Sequence, residues 1–210
     1  MKLSSLSFRH QGVIPGRCAF AVRAPGQHVR LSQNLSPQLS WSGAPAGTRS
    51  YVLLCIDTDV PTRPDDVNQP DREVPFDLPR GEFVHWAMVD IPADLDRLAE
   101  GACSSGVTPR GKTAPPGPEG TRQGLNDYTG WFKGDAQMEG NYLGYDGPCP
   151  PWNDSRIHHY RFEIFATDLE RSGLDGPFTV ADVRKAIDGH VLDQAHLVGR
   201  YSLNPRIRLK

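Results

Sequence analysis

Three stretches of this chain carry the pattern of β-strands buried in a core, and they restrict the fold more than anything else in it. Residues 50–57 (SYVLLCID) form a continuous β-rich apolar run bounded by turn residues, the pattern of a strand covered on both faces. Residues 82–91 (EFVHWAMVDI) form a second, stopped by Pro92. The third, residues 158–167 (HHYRFEIFAT), sets Tyr160, Phe162, Ile164 and Ala166 on one face by strict alternation. With 19 Pro and 21 Gly in 210 residues, turns must be frequent and long helices few. The expected fold is mostly β, over one domain spanning residues 1–210.

Weaker signals fill the gaps. Strands are predicted over 3–8, 17–22 and 38–42, with Trp41 the buried side chain of the last. Residues 60–80 are proline-rich and acidic, hence a surface loop. Residues 94–100 can form one helical turn. Residues 101–151 are mostly Gly, Pro and polar residues, but the aromatic residues scattered through them argue against disorder. Thr179-Val180-Ala181-Asp182 resembles a capping box and opens a helix whose shared face is Val180, Val183, Ala186 and Ile187, with Gly189 ending it. Residues 192–198 are expected to continue as a second helix, and 201–203 as a last strand.

The totals exclude several function classes. A formal net charge of -2 gives no electrostatic case for nucleic acid or an anionic membrane. Cys18, Cys55, Cys103 and Cys149 are far apart and form no CxxC pair, which argues against a zinc ribbon. No apolar run has signal-peptide or bilayer-spanning length. The expectation is a cytoplasmic protein with free thiols and no transmembrane segment.

Each strong strand carries a polar group that can face a common pocket. Asp57 and Asp59 follow the first, His85 lies in the second, and His158 and Tyr160 start the third. A rigid Gly/Pro loop, residues 144–151 (GYDGPCPP), precedes the third. Taken singly, the carboxylates read more readily as turn formers and the histidines as ordinary core-edge residues. Cys149 beside a pocket histidine raises the idea of a nucleophile, but no motif ties a base to it, so an ordinary thiol is expected.

These residues resemble the motifs of the phosphatidylethanolamine-binding protein family, also called Raf kinase inhibitor-like proteins, and look closest to its bacterial branch. The family's Asp-x-Asp-x-Pro motif stands as Asp57-Thr58-Asp59-Val60-Pro61. Its Gly-Pro-x-Pro-Pro loop followed by His-x-Tyr stands as Gly147-Pro148-Cys149-Pro150-Pro151 and His158-His159-Tyr160, with His85 between the motifs. Ser36 to Trp41 and a carboxyl-terminal helix over residues 183–201 are similar to bacterial members. Thr58 departs from the usual residue between the aspartates, and the loop of residues 63–85 is longer than in short family forms. The resemblance implies a PEBP-like fold of packed antiparallel sheets, short helices near the carboxyl terminus, and a pocket for phosphate, acetate or a phospholipid head group.

On that reading Asp57 pairs with His85, whose other nitrogen donates to a ligand oxygen, and Tyr160 donates from the opposite wall. Gly147 and Cys149 supply backbone N–H groups, while Pro148, Pro150 and Pro151 shape the wall. Asp59 and Arg63 brace the loop as an ion pair. His158 lines the pocket and His159 faces away. A cis bond before Pro61 would aim both aspartates inward. The expected function is binding of a small anion or phosphorylated ligand, without catalysis, cofactor or metal. Regulation or inhibition of a kinase or protease through the rim loops stays open, as does a homodimer like those of bacterial relatives. The alternative is a metal-dependent hydrolase using Asp57, Asp59, His85 and His158.

Overall fold

The computed structural model describes residues 1–209. The strands are β1 (Lys2–Ser4), β2 (Gly12–Val13), β3 (Ala21–Ala24), β4 (His28–Leu31), β5 (Leu39–Ser42), β6 (Ser50–Pro61), β7 (Arg80–Pro92), β8 (Arg97–Leu98), β9 (Arg122–Gln123), β10 (His158–Thr167) and β11 (Val191–Tyr201). Two short helices, α1 (Tyr128–Trp131) and α2 (Val180–Ala186), complete the described elements together with a single 3₁₀ turn, Gly16–Cys18. The strands form a six-stranded sheet in the order β2-β11-β10-β6-β7-β9, a three-stranded sheet β1-β5-β8, and the hairpin β3-β4.

The three strong strands of the sequence are neighbours at the centre of the large sheet. β6 lies between β7 and β10, antiparallel to both. Its alternation explains why it is apolar throughout. Leu53 and Cys55 face one core with Trp41, Trp86, Phe162 and Ile164, while Val52, Leu54 and Ile56 face a second core with Phe178, Val183 and Ile187. The first core is roofed by the small sheet, the second by α2. Each fully buried Leu, Ile or Phe contributes about 1.5–3 kcal/mol relative to exposure. The buried Trp86 indole donates to Gln123 at 2.8 Å, so it carries no unpaired polar atom.

α2 starts as its capping box dictates. The Thr179 N–H donates to Asp182 Oδ2 at 2.8 Å and the Asp182 N–H to Thr179 Oγ1 at 3.4 Å. Beyond Gly189, however, residues 191–201 are β11 rather than a second helix. Leu192, Ala195 and Val198 have helical spacing, but β10 needs a partner along its outer edge, and β11 pairs with it from Tyr201 opposite His158 to Val191 opposite Thr167. Tertiary pairing overrides local periodicity here. The separate strand at 201–203 disappears because β11 already ends at Tyr201.

Other boundaries also move. Residues 17–22 split into the 3₁₀ turn and the start of β3, since Pro15 and Gly16 open a turn. The helical turn expected at 94–100 is replaced by β8, which pairs with β5 at Leu39 and Ser40. The first strand is trimmed to Lys2–Ser4. The long segment 101–157 is ordered by buried tyrosines that donate to backbone carbonyls: Tyr128 to Gly147 at 2.8 Å, Tyr142 to Met138 at 2.8 Å and Tyr145 to Cys18 at 2.7 Å.

Candidate functional site

At the carboxyl end of β6 and the start of β10 a cavity of about 450 Å³ opens between the sheet, the β3-β4 hairpin and α1. Asp57, His85, His158 and Tyr160 all line it, so the structure brings together four of the residues read from the sequence. The register explains the meeting, because Asp57 stands directly opposite Tyr160 on β10 and opposite Phe83 on β7.

His85 arrives by a bulge. Cys55 pairs with Trp86 and Ile56 with Val84, leaving His85 as an extra residue on β7. Trp86 already belongs to the first core, and simple alternation would turn His85 away from it. The bulge re-aims it, setting its ring 5.1 Å from that of Tyr160 and 5.5 Å from that of Tyr128.

The expected Asp57–His85 pair is not the one that forms. Asp57 Oδ2 lies 2.6 Å from His158 Nδ1, and His158 Nε2 lies 3.0 Å from Asp154 Oδ2. Asp154 in turn receives both terminal nitrogens of Arg80, at 2.5 and 3.0 Å. All four side chains are buried. Burial disfavours the His158 cation, but the two carboxylates outweigh it and raise its pKa to about 9. Burial likewise opposes ionisation of Asp57, and the charge and hydrogen bond of His158 overcome it and hold the carboxyl below its usual range. The chain Arg80–Asp154–His158–Asp57 therefore alternates in charge and neutralises itself.

His85 uses a different anchor. Its Nδ1 lies 2.7 Å from the carbonyl oxygen of Asp146. A carbonyl only accepts, so Nδ1 carries the proton and neutral His85 presents a bare Nε2. Burial lowers its pKa, against the opposing charge of Asp57. Asp146 is locked from behind: its carboxylate accepts from Lys112 at 2.7 Å, Asn34 at 2.7 Å and Asn126 at 2.9 Å.

Tyr160 is fully buried, and its hydroxyl makes no hydrogen bond of good geometry, with the Asp57 carboxylate as its one near acceptor. Burial, then the charge of Asp57, pushes its pKa well up, so it remains a donor. Above this polar floor the cavity is apolar, lined by the packed rings of Phe20, Phe83, Tyr128 and Phe132 and by Val60, Pro61 and Val67. Leu31 and Trp131, both about half exposed, stand at the mouth.

Several sequence-based roles change. Gly147 is a packing residue: a Cβ there would lie 2.1 Å from the carbonyl oxygen of Cys18, and its N–H donates to Asn34 Oδ1 at 2.7 Å. Pro148 turns its carbonyl to the Phe20 and Ala21 N–H groups, leaving Cys149, Pro150 and Pro151 to form the wall. Burial pushes the Cys149 thiol up to about 12, which keeps it protonated and unreactive. Asp59 pairs with His159 Nδ1 at 2.9 Å and Arg156 at 3.9 Å instead of Arg63, and Arg80 takes over the bracing. No cis peptide bond occurs among the described residues, so Pro61 follows a trans bond. His159 does face away, with its side chain 40% exposed.

The metal-site alternative loses its geometry. Both nitrogens of His158 are engaged by carboxylates, and Asp59 serves the outer face. Among the described residues no group of three His, Cys, Asp or Glu side chains converges as a ligand set.

Asp154, Arg80, Asp146, Asn34, Lys112 and Asn126 escaped sequence reading. The one local signal was Asp154, four residues before His158 in an otherwise turn-rich loop; the rest lie 20 to 112 residues from their partners.

A sequence profile described as Phosphatidylethanolamine-binding protein matches residues 4–202. The chain belongs to this family. A "UPF0098 protein" from Methanothermobacter thermautotrophicus is 30% identical over 96% of this chain and 98% of its own length. The UPF0098 protein YbhB of Escherichia coli is 29% identical over 96% and 100%. The crystal structure of E. coli YbcL, described as a new member of the mammalian PEBP family, superposes with a TM-score of 0.66 at 25% identity, covering 96% of this chain and 97% of that one. The PEBP fold is thus shared across nearly the full length of this family member. No described helix is long and apolar enough to cross a membrane.

Proposed function

We propose that this protein binds, rather than transforms, a small amphipathic ligand whose polar or anionic head sits on Tyr160, His85 and Asp57 and whose apolar body lies along the aromatic wall. The observation that carries this reading is the Tyr160 hydroxyl. A buried donor left unpaired costs about 1–3 kcal/mol, and this one lines a cavity of about 450 Å³, the size and lining of a small-molecule site. The head group expected from the sequence, a phosphate or a carboxylate, would supply an acceptor in good geometry. The apolar wall goes beyond a bare anion pocket and favours a ligand with a hydrocarbon or aryl portion.

The test is an NMR titration of ¹⁵N-labelled protein with 2-naphthoate at about pH 5.5, where its carboxyl is still mostly ionised and ordinary histidine largely protonated. Saturable shifts confined to residues around Tyr160, His85 and Phe83, and abolished in His85→Ala, are expected. Absence of any saturable shift at these residues would defeat the proposal.

A further inference from the structure

The β3–β4 hairpin forms a wall of the cavity yet stands apart from the rest of the fold. It is a two-stranded sheet of its own, hydrogen-bonded into neither of the larger sheets, while its Ala21, Val29 and Leu31 line the cavity. Its ties to the body lie at the base. The Phe20 and Ala21 N–H groups donate to the Pro148 carbonyl at 3.0 and 3.4 Å, and the Tyr201 hydroxyl donates to the Ala21 carbonyl at 2.9 Å. Arg23 donates to the carbonyls of Ser202 and Ile207 at 3.2 and 3.0 Å. From Ala24 to Leu31 no hydrogen bond leaves the hairpin among the described residues, and Val29 rests on the first core by apolar contact alone.

A pair of rings holds the tip. The exposed imidazole of His28 stacks on the half-buried indole of Trp152, with centroids 3.8 Å apart and planes within 9° of parallel. His28 sits there at φ 61°, in the left-handed region that a residue other than glycine enters at a cost, and the stack offsets it. Trp152 is a fixed post. Its N–H donates to Asn68 Oδ1 at 3.1 Å. The adjacent Asn153 accepts from the Asn68 N–H at 2.9 Å and donates to the carbonyls of Asp66, Gln69 and Arg72 at 2.8, 3.2 and 3.0 Å. The stack thus joins the hairpin to two other walls, one carrying Val67 and Asn68 and the other Pro150 and Pro151. Neither His28 nor Trp152 lines the cavity itself, so the ring pair acts on a ligand only through the position of the hairpin.

We infer that the β3–β4 hairpin is a flap over the cavity, latched at its tip by the stack of His28 on Trp152, and that ligand exchange passes through the unlatched state. This rests on the cavity being the ligand site, as proposed above, and adds a control on access to it. Leu31 on β4 and Trp131 on α1 both stand at the mouth, so a hairpin that swings out about its base carries Leu31 away and widens the opening. While the latched state stays dominant, weakening the latch raises the rates of entry and exit by one common factor and leaves the affinity unchanged.

The test is stopped-flow kinetics of 2-naphthoate binding, followed by its fluorescence, in wild type and His28→Asn. Asparagine accepts the left-handed backbone and removes the ring. Loss of a stacked ring pair corresponds to about a two- to tenfold change in population. Association and dissociation rate constants should therefore rise together by about that factor, with Kd unchanged. Trp152→Leu should act in the same direction, and the double variant should go no further than the stronger single one, since the same contact is lost in each. Amide hydrogen exchange of the free protein is a second readout, independent of any ligand. Residues 21–31 should exchange faster in His28→Asn, with β6 and β10 unchanged. Rate constants equal to wild type, or faster dissociation alone with a weaker Kd, would overturn the flap while leaving the ligand site in place. Unchanged exchange at the hairpin in a folded His28→Asn protein would overturn the latch whether or not naphthoate binds. Failure of naphthoate to bind the wild type would remove the site itself, and the gating with it.

Discussion

Replacing Asp154 by Asn tests whether the buried charge chain behind the cavity is a single unit. The substitution keeps the volume and the hydrogen-bonding shape but removes the negative charge between Arg80 and His158, whose side chains are 5% and 0% exposed. Removing one partner of a buried ion pair costs about 3–5 kcal/mol, because the other charge is left uncompensated. For a chain of this size that is roughly 6–20 °C in Tm. The same chain predicts a pH dependence. His158 is raised from 6.5 to about 9 on folding, so its stabilisation is complete below about pH 6.5 and is lost as pH rises through about 9. At 1.36 kcal/mol per pKa unit the contribution is on the order of 3 kcal/mol. Asp57 has the opposite sign: its folded pKa is lowered, so its contribution is present at neutral pH and is lost as the carboxyl protonates in acid. Urea unfolding at acid, neutral and alkaline pH, with NMR titration of the His158 ring, measures these effects. An Asp154→Asn variant less than about 1 kcal/mol below wild type, or a His158 that titrates near its ordinary value in the wild type, would refute the reasoning.

Two further substitutions have opposite expected signs. Tyr160→Phe removes a buried hydroxyl that makes no hydrogen bond of good geometry and should leave stability unchanged or raise it by about 1 kcal/mol, while weakening naphthoate binding; a clear loss of stability in urea would show that the hydroxyl is bonded in the free protein. Gly147→Ala drives a methyl to 2.1 Å from the Cys18 carbonyl and should lower stability by about 1–3 kcal/mol, read as a lower urea midpoint; an unchanged midpoint would contradict the close approach of the two loops.

The split between what could be read and what could not follows from range. Residues 158–167 matched β10 to the residue because alternation of buried and exposed side chains is written locally. The α2 start was legible for the same reason, since the Thr179–Asp182 exchange spans three residues. β11 was misread because its fate depends on the free edge of β10, which no window around Leu192 contains.

At the cavity the same division holds. The chain by itself determined which strands carry Asp57, His85, His158 and Tyr160, because strand position and residue type are local properties. Only the tertiary structure decided their pairing. Asp57 and His158 are 101 residues apart in sequence, and Asn34 and Asp146 are 112 apart. A bulge on β7 turned His85 inward, and the carbonyl of Asp146 chose its tautomer. Protonation was decided there as well, because burial and neighbouring charge act through space: His158 lies between two carboxylates and is held as a cation, while His85, opposite a carbonyl, is held neutral.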